Sequence, residues 1–142
     1  MQFKMNKMLM GATLMVAGVA AQAQVAVVVS AKSPVGNMTA DQVSAIFLGK
    51  SNALPNGSAA VAVDLPEAAA ARETFYTKAT GKSSAQVKAA WSRLVFSGKG
   101  TPPKELGSAA DVKKFVAGNP DAIGYIEKSA VDGSVKVVLS VD

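Results

Sequence analysis

The sequence predicts a single α/β domain, a mixed β-sheet flanked by helices, on three observations. The runs QVAVVVS (residues 24–30) and AAVAV (residues 59–63) are rich in valine and do not alternate with polar residues, the pattern of strands covered on both faces. Helix-start signals recur between and after them, at Thr39, Asp64, Ser83 and Ser108. Two further strand-like runs, AIGYIE (residues 122–127) and SVKVVLSV (residues 134–141), end the chain. The expected order is therefore β-α-β-α-α-α-β-β.

The first 23 residues stand apart from this domain. Lys4 and Lys7 precede an apolar run from Met8 to Ala20, and Ala21-Gln22-Ala23 has the small-x-small form of a cleavage site. The run falls short of the roughly 20 apolar residues that span a bilayer. Residues 1–23 are expected to be an export signal, and residues 24–142 the domain, with no insertion into the membrane after cleavage. No cysteine follows the run, which argues against lipid attachment.

Within the domain each element has a local cause. Gln24–Ser30 is bounded by the loop AKSPVGN. Thr39 and Gln42 form a capping box that opens a helix with Val43, Ile46 and Phe47 on its apolar face, ended by Gly49. After a turn around Pro55-Asn56-Gly57 and the strand at 59–63 comes VDLPEAAAARETF, residues 63–75. Here Asp64 is positioned to cap a helix, Glu67 follows three residues later, and Pro66 suits the first turn. That helix runs through Phe75, Tyr76 and Ala79 to Gly81. Ser83 and Gln86 form a second capping box, ahead of a stripe made by Val87, Trp91, Leu94 and Val95. Trp91 lies on this stripe and reads as core. Residues 96–103, FSGKGTPP, have a phosphate-loop look but lack the Walker spacing and do not run into a helix, so they read as a surface turn. Ser108 to Asp111 starts the last helix, with Val112, Phe115 and Val116 inward.

Composition narrows the function. Setting Lys4 and Lys7 aside leaves 13 basic against 10 acidic residues, a mild excess that is scattered along the chain. With few aromatics and no basic block, nucleic acid is not an expected partner. The chain has no histidine and no cysteine, so it lacks the commonest general base and the commonest metal ligands. No cofactor or metal is called for, and the domain is expected not to be an enzyme. Asp64, Glu67 and Glu73 are close in sequence, but Asp64 and Glu67 are accounted for as capping groups. Arg72 stands out because a cation early in a helix opposes the dipole, and its planar fork suits oxyanions; an ion pair with Asp64 or Glu67 is the competing reading.

A family resemblance rests on several segments taken together. VAVVVSAKSPVGNMTADQVSAIFLGK (residues 25–50), Gly98-Lys99-Gly100, and Val112-x-x-Phe115-Val116 followed by NPDAIGYIE (residues 119–127) resemble the phosphate-binding proteins of bacterial ABC transporters, in that family's order. The resemblance implies a periplasmic protein of the type II periplasmic-binding-protein architecture, in which two α/β lobes close on a ligand by hinge motion. Only about one lobe of chain is present, so the sequence is similar to small single-lobe relatives described as phosphate-transporter substrate-binding-like proteins. In full-length members the strand-to-helix junction carries an Arg and then Ser-Gly-Thr. Those positions fall here on Leu65 and on Ala69, Ala70 and Ala71.

The expected function is thus an exported substrate-binding-like module that binds a small oxyanion such as phosphate weakly if at all. The candidate ligands are backbone N–H groups around Glu67, Ala68 and Ala69, the Arg72 side chain, and the hydroxyls of Ser30 and Ser33. The alternative is an accessory module that binds no small ligand and docks to a membrane transporter or another envelope protein. The run Ala68–Ala71 favours that reading, because small residues permit close approach, although alanine is also simply the best helix former.

Overall fold

A computed structural model describes residues 24–141, and the expected export signal at residues 1–23 lies outside them. Five strands form one mixed sheet: β1 (Val25–Ser30), β2 (Val61–Asp64), β3 (Lys104–Glu105), β4 (Ala122–Glu127) and β5 (Val135–Val141), in the order β3-β2-β4-β1-β5. β2 runs parallel to β3 and β4, while β1 is antiparallel to both β4 and β5. Four α-helices occur among the described residues: α1 (Ala40–Phe47), α2 (Ala70–Thr80), α3 (Ser84–Phe96) and α4 (Ala109–Ala117).

The expectation of strands covered on both faces holds for β1 but only for the end of β2, where Val63 and Asp64 are buried while Val61 is 43% exposed; β4 is covered as β1 is. Val25 to Val29 are fully buried, as are Ile123, Tyr125 and Ile126. Each such valine contributes about 1.5–3 kcal/mol of burial. Successive side chains of β4 point to opposite faces. On one face a Cβ at Gly124 would lie 2.8 Å from Val63 and 2.9 Å from Val112, so the glycine lets α4 close onto the sheet. On the other face the Tyr125 ring stacks on Phe75 of α2, with centroids 4.1 Å apart, and Phe47 of α1 meets Phe75 edge-on at 4.8 Å. The sheet is therefore the middle of three layers, with α4 on one side and α1 and α2 on the other.

Two expectations for the helices are corrected. The stripe on α3 is only partly covered: Val87 is buried, Trp91 and Leu94 are half-buried, and Val95 and Phe96 lie open at 49% and 95% exposure. α3 rests on α2, and the loops at Gly49 and Gly100 pack on its Trp91. The helix after β2 begins at Ala70, not beside Asp64. Asp64 is the last residue of β2 and caps nothing.

Candidate functional site

The junction between β2 and α2 is organised by a buried carboxylate. Asp64 is 4% exposed and accepts from the Tyr76 hydroxyl at 2.6 Å, from the Tyr125 hydroxyl, and from its neighbour's N–H on Leu65 at 2.9 Å. A buried charge needs several such partners, because leaving water costs several kcal/mol per ion. This explains why Asp64 is not a cap. Its two oxygens are drawn inward by tyrosines from α2 and β4, and the chain must then run out through Leu65–Ala69 before a helix can begin. Burial, followed by the Asp64 charge, pushes both tyrosine hydroxyls well above their ordinary pKa.

Arg72 completes the cluster. It is 7% exposed, and its Nη1 donates to the Leu65 carbonyl at 2.8 Å and to Glu105 Oε2 at 3.3 Å, with Asp64 Oδ2 3.7 Å away. The guanidinium also lies 5.6 Å from the centre of the Tyr76 ring. Arg72 is thus committed to the interior, paired with Asp64 and with Glu105. Glu105 comes from β3, a two-residue strand too short to leave a pattern in the sequence. Glu67 forms an exposed ion pair with Lys88 at 3.0 Å, and the Lys88 hydrogen bond holds its carboxyl below the usual range.

The helix start itself faces outward. α2 has Ala69 at its N-cap with no side-chain hydrogen bond, unlike α1, α3 and α4. The N–H of Ala69 is taken by Pro66 and that of Arg72 by Ala69, while those of Ala70 and Ala71 meet no acceptor among the described residues. Ala68–Ala71 line an open groove of about 440 Å³, whose far wall is Gly107, Ser108 and Ala109 at the start of α4. The uncapped start of α2, with its partial positive charge, therefore borders the groove opposite the start of α4, which Ser108 caps. Glu127 stands at its edge, and it opposes an anion.

The residues expected to form a site are separated by the fold. Ala68 and Ala69 line the groove. Glu67 and Arg72 line a different one, beside α3. Ser30 and Ser33 lie at the opposite end of the sheet: Ser30 pairs with Val135, whereas Val25 at the other end of β1 pairs with Glu127. Both serines are buried and used internally, Ser30 Oγ donating to the Ala117 carbonyl at 3.2 Å and Ser33 Oγ accepting from Val35 N–H at 3.2 Å. The competing reading of Arg72 as an ion pair with Asp64 holds, whereas the two tyrosines of the buried cluster were missed. Their signal was present, since the chain's only two tyrosines both fall in apolar patterns, where a hydroxyl needs a partner.

Models of known protein families and curated proteins give no match to the sequence. Solved structures do match in fold. A protein described as a phosphate ABC transporter substrate-binding protein from Clostridium perfringens, with bound phosphate, aligns with a TM-score of 0.66 at 24% identity, over 82% of this chain and 45% of its own. An ABC-type phosphate transport receptor from Vibrio cholerae gives 0.63 at 23% identity, over 82% and 46%. PstS from Borrelia burgdorferi gives 0.54 at 12% identity, over 82% and 47%. These neighbours are substrate-binding proteins, and this chain spans less than half the length of each. In fold, the domain is a relative of the phosphate ABC transporter substrate-binding proteins, equivalent to one part of such a protein.

Proposed function

We propose that the chain is an exported, non-enzymatic module of the substrate-binding-protein fold that holds a small oxyanion weakly at the start of α2. One observation carries this reading: the free N–H groups of Ala70 and Ala71 open onto a groove, with no side-chain cap to occupy them. A helix N-terminus of that kind attracts phosphate or sulfate. The alanines supply no hydroxyl, Arg72 is turned inward and Glu127 repels, so affinity is low and the groove stays open to water. Ser30, Ser33, Glu67 and Arg72 take no part. Export to the periplasm is supported by Lys4, Lys7, the apolar run and Ala21-Gln22-Ala23. Among the described residues no helix is long and apolar enough to cross a membrane.

The test is a thermal-shift titration with phosphate, sulfate and small carboxylates, on the protein and on Ala70→Pro. A ligand at a hundred times its dissociation constant stabilises by about 2.7 kcal/mol. For a domain of this size that is a rise on the order of 10 °C. Proline is favoured at the first helical position and removes one of the two donors. A shift with one anion that Ala70→Pro abolishes supports the site; the same shift in both proteins rejects it.

The apolar lining of the groove, Leu65, Pro66 and Ala68–Ala71, favours a second reading, docking to a transporter or another envelope protein. Capture of one partner from an envelope extract, lost when Ala70 is changed to a bulky residue and unaffected by phosphate, would support docking over anion binding.

A further inference from the structure

A third groove, which shares Trp91, Pro102 and Pro103 with the one that Arg72 lines, is built from two glycine–lysine loops that the oxyanion reading leaves unused. Gly49-Lys50 follows α1, and Gly98-Lys99-Gly100 follows α3. Both loops pack on the ring of Trp91: a Cβ at Gly49 would lie 2.8 Å from that ring, and one at Gly100 would lie 3.0 Å from it. Only residues without a side chain allow so close an approach, and Gly49 also holds a φ of +79°. Trp91 is itself fixed, its Nε1 donating to the Phe47 carbonyl at 2.8 Å. The indole therefore acts as a template that brings Lys50 and Lys99 to one groove of about 700 Å³.

The groove's chemistry is one-sided. Lys50, Lys99 and Lys104 line it, with Asn52 and Thr101, and no carboxylate does. Among the described residues the side chains of Lys50, Asn52, Lys99 and Thr101 form no hydrogen bond or ion pair with the protein, nor do the N–H groups of Asn52, Gly100 and Thr101. Lys104 stands at the rim, its ammonium 5.4 Å from the Phe115 ring centre. Elsewhere Arg72 is committed to Asp64 and Glu105, Lys88 to Glu67, Lys113 to Asp132, and Lys136 to the Ser33 carbonyl, while the side chains of Lys32, Lys78, Lys82, Arg93 and Lys114 are also without a partner among the described residues, but none of these five lines this groove. Two uncommitted ammonium groups on separate loops, in one groove with Asn52 and Thr101, match separate charges on one molecule.

We propose that this groove binds a compact anion carrying two or more separated anionic groups, a polyphosphate or a polycarboxylate, with Lys50 and Lys99 each taking one group. The site is independent of the α2 start. Amide NMR spectra of the protein titrated with inorganic tripolyphosphate, citrate and orthophosphate test it. Tripolyphosphate or citrate should move the Asn52, Gly100 and Thr101 amides saturably, with a dissociation constant at least tenfold below that of orthophosphate at the same amides. The Lys50→Gln, Lys99→Gln double variant should weaken that binding at least tenfold, and Ala70→Pro should leave it unchanged. Both lysines are exposed, so an unaltered melting temperature shows that the double variant is folded. Stationary amides with both polyanions, or binding that the double variant retains, overturns the proposal.

Discussion

Three of the four described α-helices begin in one way and the fourth in another. α1, α3 and α4 open on a threonine or serine whose oxygen accepts an N–H of the first turn, at 3.1–3.2 Å. α2 opens on an alanine that accepts nothing through its side chain. The polar residue nearest that start, Asp64, serves the interior, where two tyrosines and Arg72 gather round it. The contrast separates two uses of polarity. Caps at α1, α3 and α4 neutralise helix ends and close them to other ligands. At α2 the polar groups are inside, and the helix end is left open.

Breaking the interior half of this contrast should have the largest effect. Asp64→Ala leaves Arg72 with only the Leu65 carbonyl and the half-exposed Glu105 and takes the acceptor from two buried hydroxyls, and removing one partner of such a cluster costs about 3–5 kcal/mol. Denaturant titration should show a loss of that size; a loss under about 1 kcal/mol would mean that the cluster is not paired as described.

Alkaline pH attacks the same cluster without mutation. Both tyrosines have pKa values raised in the folded state, so the stability they contribute is present below the unfolded value of about 10 and is lost as pH rises beyond it. Above that point stability should fall by about 1.4 kcal/mol per pH unit for each tyrosine. Absorbance at the tyrosinate band should stay silent until the protein unfolds, and early ionisation would contradict the buried pairing.

The helix ends provide a mirrored pair. Ser83→Ala should lose about 1 kcal/mol, and Ala69→Ser should gain a similar amount by giving α2 the cap it lacks. Equal loss in both would mean that the α2 start is already satisfied. Smallest of all is Lys88→Ala, which removes an exposed partner of Glu67 and should leave the unfolding midpoint unchanged within error.

Much of the fold was legible because its causes are local. The box Thr39 and Gln42, the box Ser83 and Gln86, and the unbroken valines of β1 each act within a few residues, and the structure bears them out. The junction at Asp64 was misread because its partners are distant in sequence. Tyr125 lies 61 positions away, and a local capping rule cannot weigh it. Ser30 and Ser33 were grouped with Arg72 because loops at opposite ends of a sheet look alike in sequence; only the antiparallel pairing of β1 with β4 separates them. That Ala69, Ala70 and Ala71 carry no hydroxyl, in contrast, needed no structure to see.

Under the proposed function, the open start of α2 is an oxyanion site held by backbone alone. Amide NMR with orthophosphate, on the protein and on Ala70→Pro, tests it most directly. Saturable movement of the Ala70 and Ala71 amides at millimolar phosphate, with the Ala71 response gone in Ala70→Pro, is the predicted result. Amides of Ala70 and Ala71 that stay still at saturating phosphate would contradict it.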